Sequence, residues 1–346
     1  MIRRAAISSA VFAAAVAVSA MVGGPAFGDA VAEFYRGKEV RIVSSGGAGG
    51  GHGAYALVVS RHLGRHIPGQ PTVVPQYMPG AGGAKAFNYV YNAAPKDGTV
   101  VGFFLQFVAL NQAIGREGIK YDARKFNWIG SVTPITAVMS IWKSASATTI
   151  EELKKVEIPT GATGRSSDSF ITPTLMNTFL GTKFKIVTGY KGMAPIHRAM
   201  ETGEVSGTVG AWSTIAPARK PHWKRGENYV VIAQNVLERS PDLPDVPTLA
   251  ELAPNDTARG VFEFVGSAST QGRTLAAPPG VPPERVAALR AAFGAMMKDP
   301  QLITEAKKRH MPLAARDAKG TEALVERTLS APPEIIAAAK KAFGVN

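Results

Sequence analysis

Cysteine is absent from the 346-residue sequence. Its absence excludes disulfide bonds, thiol nucleophiles and every cysteine-ligated metal site. The chain does not need a disulfide to fold, because 346 residues of which 45% are hydrophobic can bury two cores of ordinary size. Any binding or catalytic chemistry must therefore come from other side chains or from the backbone.

Acidic residues are scarce relative to basic ones. The chain has 26 Asp and Glu against 39 Lys and Arg, which gives a formal net charge of +13. A surface of this sign attracts anionic partners. Nucleic acid is one such class, but the basic residues are scattered and no nucleic-acid-binding motif occurs. We therefore expect no nucleic-acid partner and favour a small anionic ligand or an anionic surface.

Long hydrophobic runs are also rare, and the one that stands out is N-terminal. Arg3 and Arg4 precede the run AAISSAVFAAAVAVSAMVGG, and small residues follow it. A basic start, an apolar middle and a small-residue end are typical of a secretory signal peptide, which we place at residues 1–28 with cleavage near Gly28 or Ala30. The alternative is an uncleaved membrane anchor, for which this Ala- and Ser-rich run is barely long enough.

Apolar runs and helical periods alternate along the rest of the chain. The strand candidate EVRIVSS is followed by a helical period at residues 53–66, and the same order recurs. Strands that alternate with helices predict α/β units with parallel strands. The other runs predicted as strands are PTVVPQYM, DGTVVGFFL, FNWIGSV, AVMSIWKS, VEIPTGATG, FKIVTGY, EVSGTVGAW and YVVIAQ. A second series begins near residue 148, so we expect two α/β units.

Three local predictions follow from the same pattern. Thr148 and Glu151 have the spacing of a capping box, which predicts the start of a helix. Residues 168–180 form a further helical period. The stretch FEFVGSASTQGRTLAAPPGVP, at 262–282, predicts a long strand that passes back toward the first unit.

Glycine-rich turns occur at residues 46–53, 79–83 and 161–169. Each one follows a predicted strand and precedes a predicted helix. Glycines let a ligand approach the backbone, and the free N–H groups of a helix's first turn attract anions. The alternative is that these glycines only make tight turns. Three turns in matched positions favour an anion site.

The first turn departs from two common nucleotide-binding motifs. A phosphate-binding loop needs Gly-Lys-Ser/Thr at its end, whereas this turn ends in Gly-His-Gly at 51–53. A dinucleotide fingerprint fits Gly49, Gly51 and Ala54, but the acidic residue expected after the second strand, which ends near Gln76, is missing. We therefore expect no nucleotide and no other cofactor.

The order and spacing of several stretches resemble a known family. They are FYRGKEVRIVSSGGAGGGHGAYALVVSRHLGRHIPGQPTVVPQYMPGAGGAKAFNYVYNAAPKDGTVVGFF, FNWIGSV, GATGRSSDSF, GYKGMAPIHRAMETGEV, PDLPDVPTL and LAAPPGVPPERVAALRAAF. Together they run from about residue 34 to the C-terminus. The chain resembles the extracytoplasmic solute receptors of tripartite tricarboxylate transporters, the Bug family.

The resemblance implies a fold and a domain organisation. The fold is an α/β two-lobe periplasmic binding protein of the type II kind, with a hinge between the lobes. The second lobe is inserted into the first, so that residues 29–134 and 263–346 form lobe 1 and residues 135–262 form lobe 2. The resemblance also implies that the protein is periplasmic and is not an enzyme.

In relatives, the glycine loops line the ligand cleft, together with a tyrosine loop and a turn that carries a tryptophan. The ligand-binding residues that this implies here are Ser45, Gly46, Gly49, Gly50, Gly51, His52, Gly53, Gly80, Ala81, Gly82, Thr163, Gly164, Arg165, Ser166, Ser167, Asp168, Tyr190 and Trp212. Two positions depart from the family pattern. Gly53 stands where relatives commonly carry aspartate, and Arg165 stands where some have small residues or proline. Arg165 either binds a ligand carboxylate in a fork or is a solvated loop residue.

The implied function is capture of a small organic anion by closure of the lobes. The ligand is a mono- or dicarboxylate, aromatic acids included, and membrane permease subunits of the transporter receive it. One alternative is a ligand-sensing module for a membrane sensor. Another is an exported hydrolase built on Ser166 or Ser167, although no partner histidine motif is evident.

The remaining candidates have structural explanations. His62 and His66 have the four-residue spacing of a zinc-binding pair, but no third ligand is evident, so we expect a solvated helix face and no metal. The Ser and Asp residues at 166–169 are expected to cap the helix that follows them. Trp128 and Trp142 are expected in the core, and Trp212 is expected to stack on the ligand.

Overall fold

The computed structural model describes residues 27–216 and 220–345 of the chain. The predicted signal peptide lies, as far as Ala26, outside these residues. Within the described ranges, no helix combines the length and the apolar character needed to cross a membrane.

Six strands form the first sheet, in the order β11-β4-β10-β3-β1-β2. These strands are β1 (Glu39–Ser44), β2 (Thr72–Tyr77), β3 (Val100–Phe104), β4 (Asn127–Ser131), β10 (Thr274–Ala277) and β11 (Arg316–Asp317). The strand β1 pairs in parallel with β2 and β3, as the strand–helix alternation predicts. The strand β10 lies antiparallel between β3 and β4.

Five strands form the second sheet, in the order β7-β6-β8-β5-β9. These strands are β5 (Ala137–Trp142), β6 (Ile158–Gly161), β7 (Phe184–Val187), β8 (Gly207–Ala211) and β9 (Tyr229–Asn235). The strand β6 pairs in parallel with β7 and β8. The strand β5 is antiparallel to both β8 and β9.

Helices cover both sheets. They are α1 (Phe27–Tyr35), α2 (Gly51–Leu63), α3 (Ala84–Asn92), α4 (Val108–Ala113), α5 (Ile150–Leu153), α6 (Asp168–Leu175), α7 (Met193–Glu201), α8 (Trp212–Ile215), α9 (Asp256–Gln271), α10 (Pro283–Met296), α11 (Pro300–Lys308), α12 (Ala318–Leu329) and α13 (Pro333–Phe343). The helical period predicted at 168–180 is divided between α6 and a π-helical turn at Met176–Leu180.

The first sheet is buried on both faces. Ile42 and Val43 are neighbours in β1, both are fully buried, and they belong to two different apolar clusters. This alternation follows from the two-residue period of a strand. Trp128 on β4 lies in the second of these clusters, so its predicted core position is confirmed.

The second sheet is also covered on both faces. Val138 and Met139 in β5 point into different clusters. The cluster of Met139 includes Phe262 of α9 and Ala339 of α13. The last helix of the chain therefore packs on helices of the second sheet. The lobe boundaries at residues 135 and 262 stay a prediction.

The prediction of one long strand at 262–282 is wrong. The first half of this stretch lies in α9, and only the residues of β10 form a strand. Asn255 caps α9, and Gly272 ends it with a φ of 68°. Phe262, Val265 and Ala268 are buried at the three-residue spacing of one helix face, which the alternation in FEFV concealed. Within this stretch, β10 is the part that pairs with strands of the first sheet.

The predicted capping box is displaced by one residue. Thr149, not Thr148, accepts a hydrogen bond from the backbone N–H of Glu152, and the Glu152 side chain accepts one from the backbone N–H of Thr149. Two adjacent threonines followed by two adjacent glutamates offer two registers with the same spacing. The apolar face that starts at Ile150 selects the second.

Candidate functional site

A cavity of about 780 Å³ lies between loops of the two sheets. Its lining comes from the loops that follow β1, β2 and β3 in the first sheet and from those that follow β6, β7 and β8 in the second. Each of these loops is at the carboxyl end of a strand, where ligand-binding crevices of α/β sheets form. This cavity is the candidate functional site.

The glycine loops predicted from the sequence meet at this cavity. The predicted residues that line it are Ser45, Gly46, Gly50, Gly51, His52, Gly80, Gly82, Thr163, Ser167, Asp168 and Tyr190. The other predicted residues do not line the cavity; they are Gly49, Gly53, Ala81, Gly164, Arg165, Ser166 and Trp212. All three turns therefore reach the cavity, although not every residue in them faces it.

Three of the predicted residues that do not line the cavity have other surroundings. Trp212 is buried in an apolar cluster with Val138 and Trp223, so the predicted stacking on a ligand is not supported. Arg165 is an exposed loop residue, as its second interpretation had it. Gly53 lies inside α2, where a Cβ would stand 2.2 Å from the Gly47 carbonyl oxygen.

Glycines also bring the two sets of loops into contact beside the cavity. A Cβ built on Gly82 would lie 2.5 Å from the carbonyl carbon of Ser166, and one built on Gly51 would lie 2.5 Å from Cγ2 of Thr214. Gly82 has a φ of 66°, which an L side chain rarely adopts. These glycines therefore permit the loops of the two sheets to touch, a role that the sequence did not reveal.

Several helices begin at the cavity without a side-chain cap, among them α2, α6 and α7. Gly50 precedes α2, Ser167 precedes α6 and Gly192 precedes α7, and none of the three makes a capping hydrogen bond. By contrast, Asn255 caps α9 and Asp317 caps α12. Uncapped first turns leave N–H groups for a ligand, and their dipoles favour negative charge.

The predicted capping by the serines before α6 is wrong. The Ser167 hydroxyl donates to the Gly164 carbonyl at 2.6 Å and lies 2.9 Å from Ser169 Oγ. Ser169 Oγ accepts the backbone N–H of Thr163 at 3.1 Å. Both hydroxyls therefore hold the loop, and the first turn of α6 stays uncapped.

The hydrolase alternative requires the hydroxyl of Ser166 or Ser167 to act as a nucleophile. In the part of the chain that the structure describes, no hydrogen bond joins Ser166 or Ser167 to a histidine. A serine nucleophile needs such a base within hydrogen-bond reach. The arrangement therefore offers no support for a hydrolase.

His62 and His66 do not form the solvated face that their spacing suggested. His62 is buried, with Nε2 2.7 Å from Glu305 Oε2. His66 Nε2 lies 2.8 Å from Asp299 Oδ2. The two histidines tie α2 and the 3₁₀ turn that follows it, Gly64–His66, to α11 and its capping residue Asp299, which is a structural role.

Basic side chains that the sequence did not single out also line the cavity. They are Lys85, Lys191 and Arg273. Arg273 is only 3% exposed, lies over the Tyr55 ring at 4.3 Å, and makes no ion pair with any carboxylate of the described residues. Burial lowers the pKa of its guanidinium. The arginine reaches the cavity because β10 is inserted between β3 and β4, a long-range pairing that local sequence does not report.

Two other titratable groups stand in the cavity wall. Burial, and secondarily the charge of Arg273, lower the pKa of His52 to about 3, and its Nε2 is 3.1 Å from the Phe103 carbonyl oxygen. Burial raises the pKa of Asp168 to about 6, although Asp168 Oδ1 accepts a 2.7 Å hydrogen bond from Thr172. At neutral pH, His52 is therefore uncharged, and the positive charge comes from arginine and lysine.

The pKa of His52 predicts an acid sensitivity that a variant can test. His52 stays neutral when folded but takes up a proton below pH 6.5 when unfolded, so stability falls as the pH drops from 6.5 toward 3. One proton corresponds to about 1.4 kcal/mol per pH unit. His197, with a pKa of about 4, acts in the same direction, whereas Asp168 acts oppositely between pH 6 and 3.8. A His52→Gln variant is expected to lose the contribution of His52 to this slope.

Urea unfolding at several pH values between 7 and 4.5 measures this effect. The control replaces an exposed residue that does not titrate, and Ile303→Gln should keep the wild-type slope. Equal slopes for the wild type and His52→Gln would contradict the assignment.

Solved periplasmic binding proteins have the same fold as this chain. The periplasmic binding protein BugD superposes with a TM-score of 0.70 at 21% identity, over 90% of this chain and 99% of that one. Rpa4515 from R. palustris with adipate gives 0.67 at 20% identity, over 87% and 97%. MatC (Rpa3494) from Rhodopseudomonas palustris with bound malate gives 0.66 at 21% identity, over 86% and 99%. The fold is therefore the two-lobe α/β fold of periplasmic binding proteins, as predicted.

The family follows from the sequence. The profile of TctC, the tripartite tricarboxylate transporter family receptor, matches residues 58–340, and the chain belongs to this family. The resemblance to the Bug receptors is thereby confirmed. Its members and structural neighbours are solute-binding proteins rather than enzymes. Comparison with curated protein sequences gives no significant match.

Proposed function

We propose that this chain is a periplasmic receptor that captures a small organic carboxylate in the cavity between its two lobes. The observation that carries the proposal is the composition of the cavity wall, in which Lys85, Lys191 and Arg273 accompany the uncapped starts of α2, α6 and α7. Both features favour a negatively charged group. The malate and adipate in two structures of the same fold are carboxylates of this kind.

Closure of the lobes is the mechanism that we propose for capture. The cavity takes its lining from loops of both sheets, so a ligand contacts both sets only when they are close together. A ligand that binds this state better than the open state shifts the population toward it. The closed receptor then passes its ligand to membrane permease subunits of a tripartite tricarboxylate transporter.

Thermal unfolding in the presence of carboxylates tests the proposal. The protein is first unfolded and refolded to remove bound ligand, and then mixed with succinate, malate, adipate or benzoate. At 100 times the dissociation constant, a ligand adds about 2.7 kcal/mol of stability. This raises the melting temperature by roughly 4 °C in a chain of this length. Chloride at equal ionic strength is the control, and a panel of acids that gives no shift beyond chloride would contradict the proposal.

A further inference from the structure

The guanidinium of Arg273 is buried and has no anionic partner among the described residues. It follows Gly272 at the turn into β10 and lines the cavity, and its Nε has no hydrogen-bond partner among the described residues. The contact with the Tyr55 ring offsets only part of the cost of burying a full charge. An unpaired buried charge lowers stability, so its place in a cavity wall indicates a partner supplied from outside.

The neighbouring His52, which lines the same cavity, has an unpaired and buried acceptor. A carbonyl oxygen can only accept, so the 3.1 Å contact with Phe103 requires that His52 Nε2 carry the hydrogen. The ring is neutral, because it is buried and lies close to Arg273. The bare Nδ1 is therefore a hydrogen-bond acceptor, and it has no donor within the described part of the chain. His52 as a whole is 9% exposed and lines the cavity, and its Nδ1 is buried in the cavity wall.

A ligand that satisfies both residues has a carboxylate for Arg273 and a hydrogen-bond donor for His52. The donor is a neutral one, because an ammonium group at this place would be repelled by the Arg273 cation. A hydroxyl group near the carboxylate meets both requirements. A plain carboxylate leaves His52 Nδ1 unpaired, and a 2-oxo acid adds only another acceptor.

We propose, on the basis of the function proposed above, that Arg273 and His52 form a subsite that selects hydroxycarboxylates over the corresponding acids without the hydroxyl. Arg273 binds the carboxylate, and His52 Nδ1 accepts the hydrogen of the hydroxyl. The subsite sets specificity within the class of organic acids, whereas the uncapped helix starts favour any carboxylate.

Matched pairs of acids test the selection in the refolded, ligand-free wild type. The probes are L-malate with succinate and each enantiomer of mandelate with phenylacetate, titrated by calorimetry. Loss of one neutral hydrogen bond to a buried acceptor predicts about tenfold weaker binding of the acid without the hydroxyl. Aspartate and phenylglycine, which replace the hydroxyl by an ammonium, are expected to bind more weakly than the hydroxy acids.

Three variants assign the effect to the two side chains. Arg273→Met is expected to weaken hydroxy acid binding by about 100-fold, while the ligand-free melting temperature does not fall, because a buried unpaired charge is removed. Arg327→Met removes an exposed arginine that does not line the cavity and is expected to keep wild-type affinity. His52→Phe is expected to bring the affinities of the two acids in a pair together.

The outcomes separate this subsite from the general function. Suppose that the acids bind, that paired acids with and without the hydroxyl have equal affinities, and that Arg273→Met binds like the wild type. The subsite assignment is then wrong, and the receptor function stands. A hydroxyl preference that survives in both Arg273→Met and His52→Phe also overturns the assignment. If no acid binds to folded, ligand-free wild type, the receptor function fails and the subsite fails with it.

Discussion

A Gly53→Asp variant is expected to be less stable than the wild type by about 1–3 kcal/mol, the usual cost of forcing atoms into a packed site. The Cβ at this position would stand 2.2 Å from the Gly47 carbonyl oxygen and 2.8 Å from the Ala48 Cα. Both are backbone atoms of the same loop, so the loop itself must move. An acidic residue in the first turn of α2 would by itself be favourable by about 0.3–1 kcal/mol, which is too little to reverse the sign.

Gly49→Asp is the matched control for this variant. It adds the same side chain to the same loop, but a Cβ there meets nothing within 4 Å. Its stability is expected within about 0.5 kcal/mol of the wild type, as for an ordinary surface substitution. Urea unfolding of the two variants measures the difference, and equal stabilities would contradict the described loop. A lower stability of Gly53→Asp alone would show that residues 46–53 are folded around a position that has no side chain.

Gly82→Ala is expected to weaken carboxylate binding by about 10- to 100-fold. The reason is that forcing a methyl group into this packed contact costs about 1–3 kcal/mol. The added Cβ would lie 2.5 Å from the carbonyl carbon of Ser166 and 2.7 Å from the backbone N of Ser167. Both atoms belong to the loop on the opposite side of the cavity. The methyl group therefore keeps the two loops apart and prevents a ligand from contacting both.

Gly181→Ala separates this effect from backbone strain. Gly181 has a φ of 72°, close to the 66° of Gly82, but its Cβ would meet nothing within 4 Å. Both variants are expected to lose about 1–2 kcal/mol of stability from the left-handed conformation. Only Gly82→Ala is expected to lose affinity in calorimetric titration. Wild-type affinity in Gly82→Ala would show that contact between these loops is not needed for binding.

The fold was largely predictable because its signals are local. The strand–helix alternation located both sheets, since parallel strands buried on two faces form continuous apolar runs. The failure at α9 has a physical reason. The letters FEFV fit a two-residue period, while the three-residue spacing of Phe262, Val265 and Ala268 is visible only over a longer window.

The loops of the candidate site could be predicted from the sequence, whereas its buried charge could not. Glycine turns between strands and helices have a sequence signature, and these turns do meet at the cavity. Arg273 has no such signature, because its burial depends on pairing of β10 with β3 and β4, distant in the chain. The contact of Gly82 with Ser166 likewise depends on how loops of two different sheets approach each other.

Native mass spectrometry of the purified chain is the most direct test of the central claim, that a carboxylate occupies this cavity. The protein is measured as isolated and again after unfolding, refolding and addition of the acid panel at millimolar concentration. We expect one carboxylic acid per chain, released on unfolding and restored by one or more of the added acids. A folded chain that carries no small molecule and gains none from the panel would contradict the account.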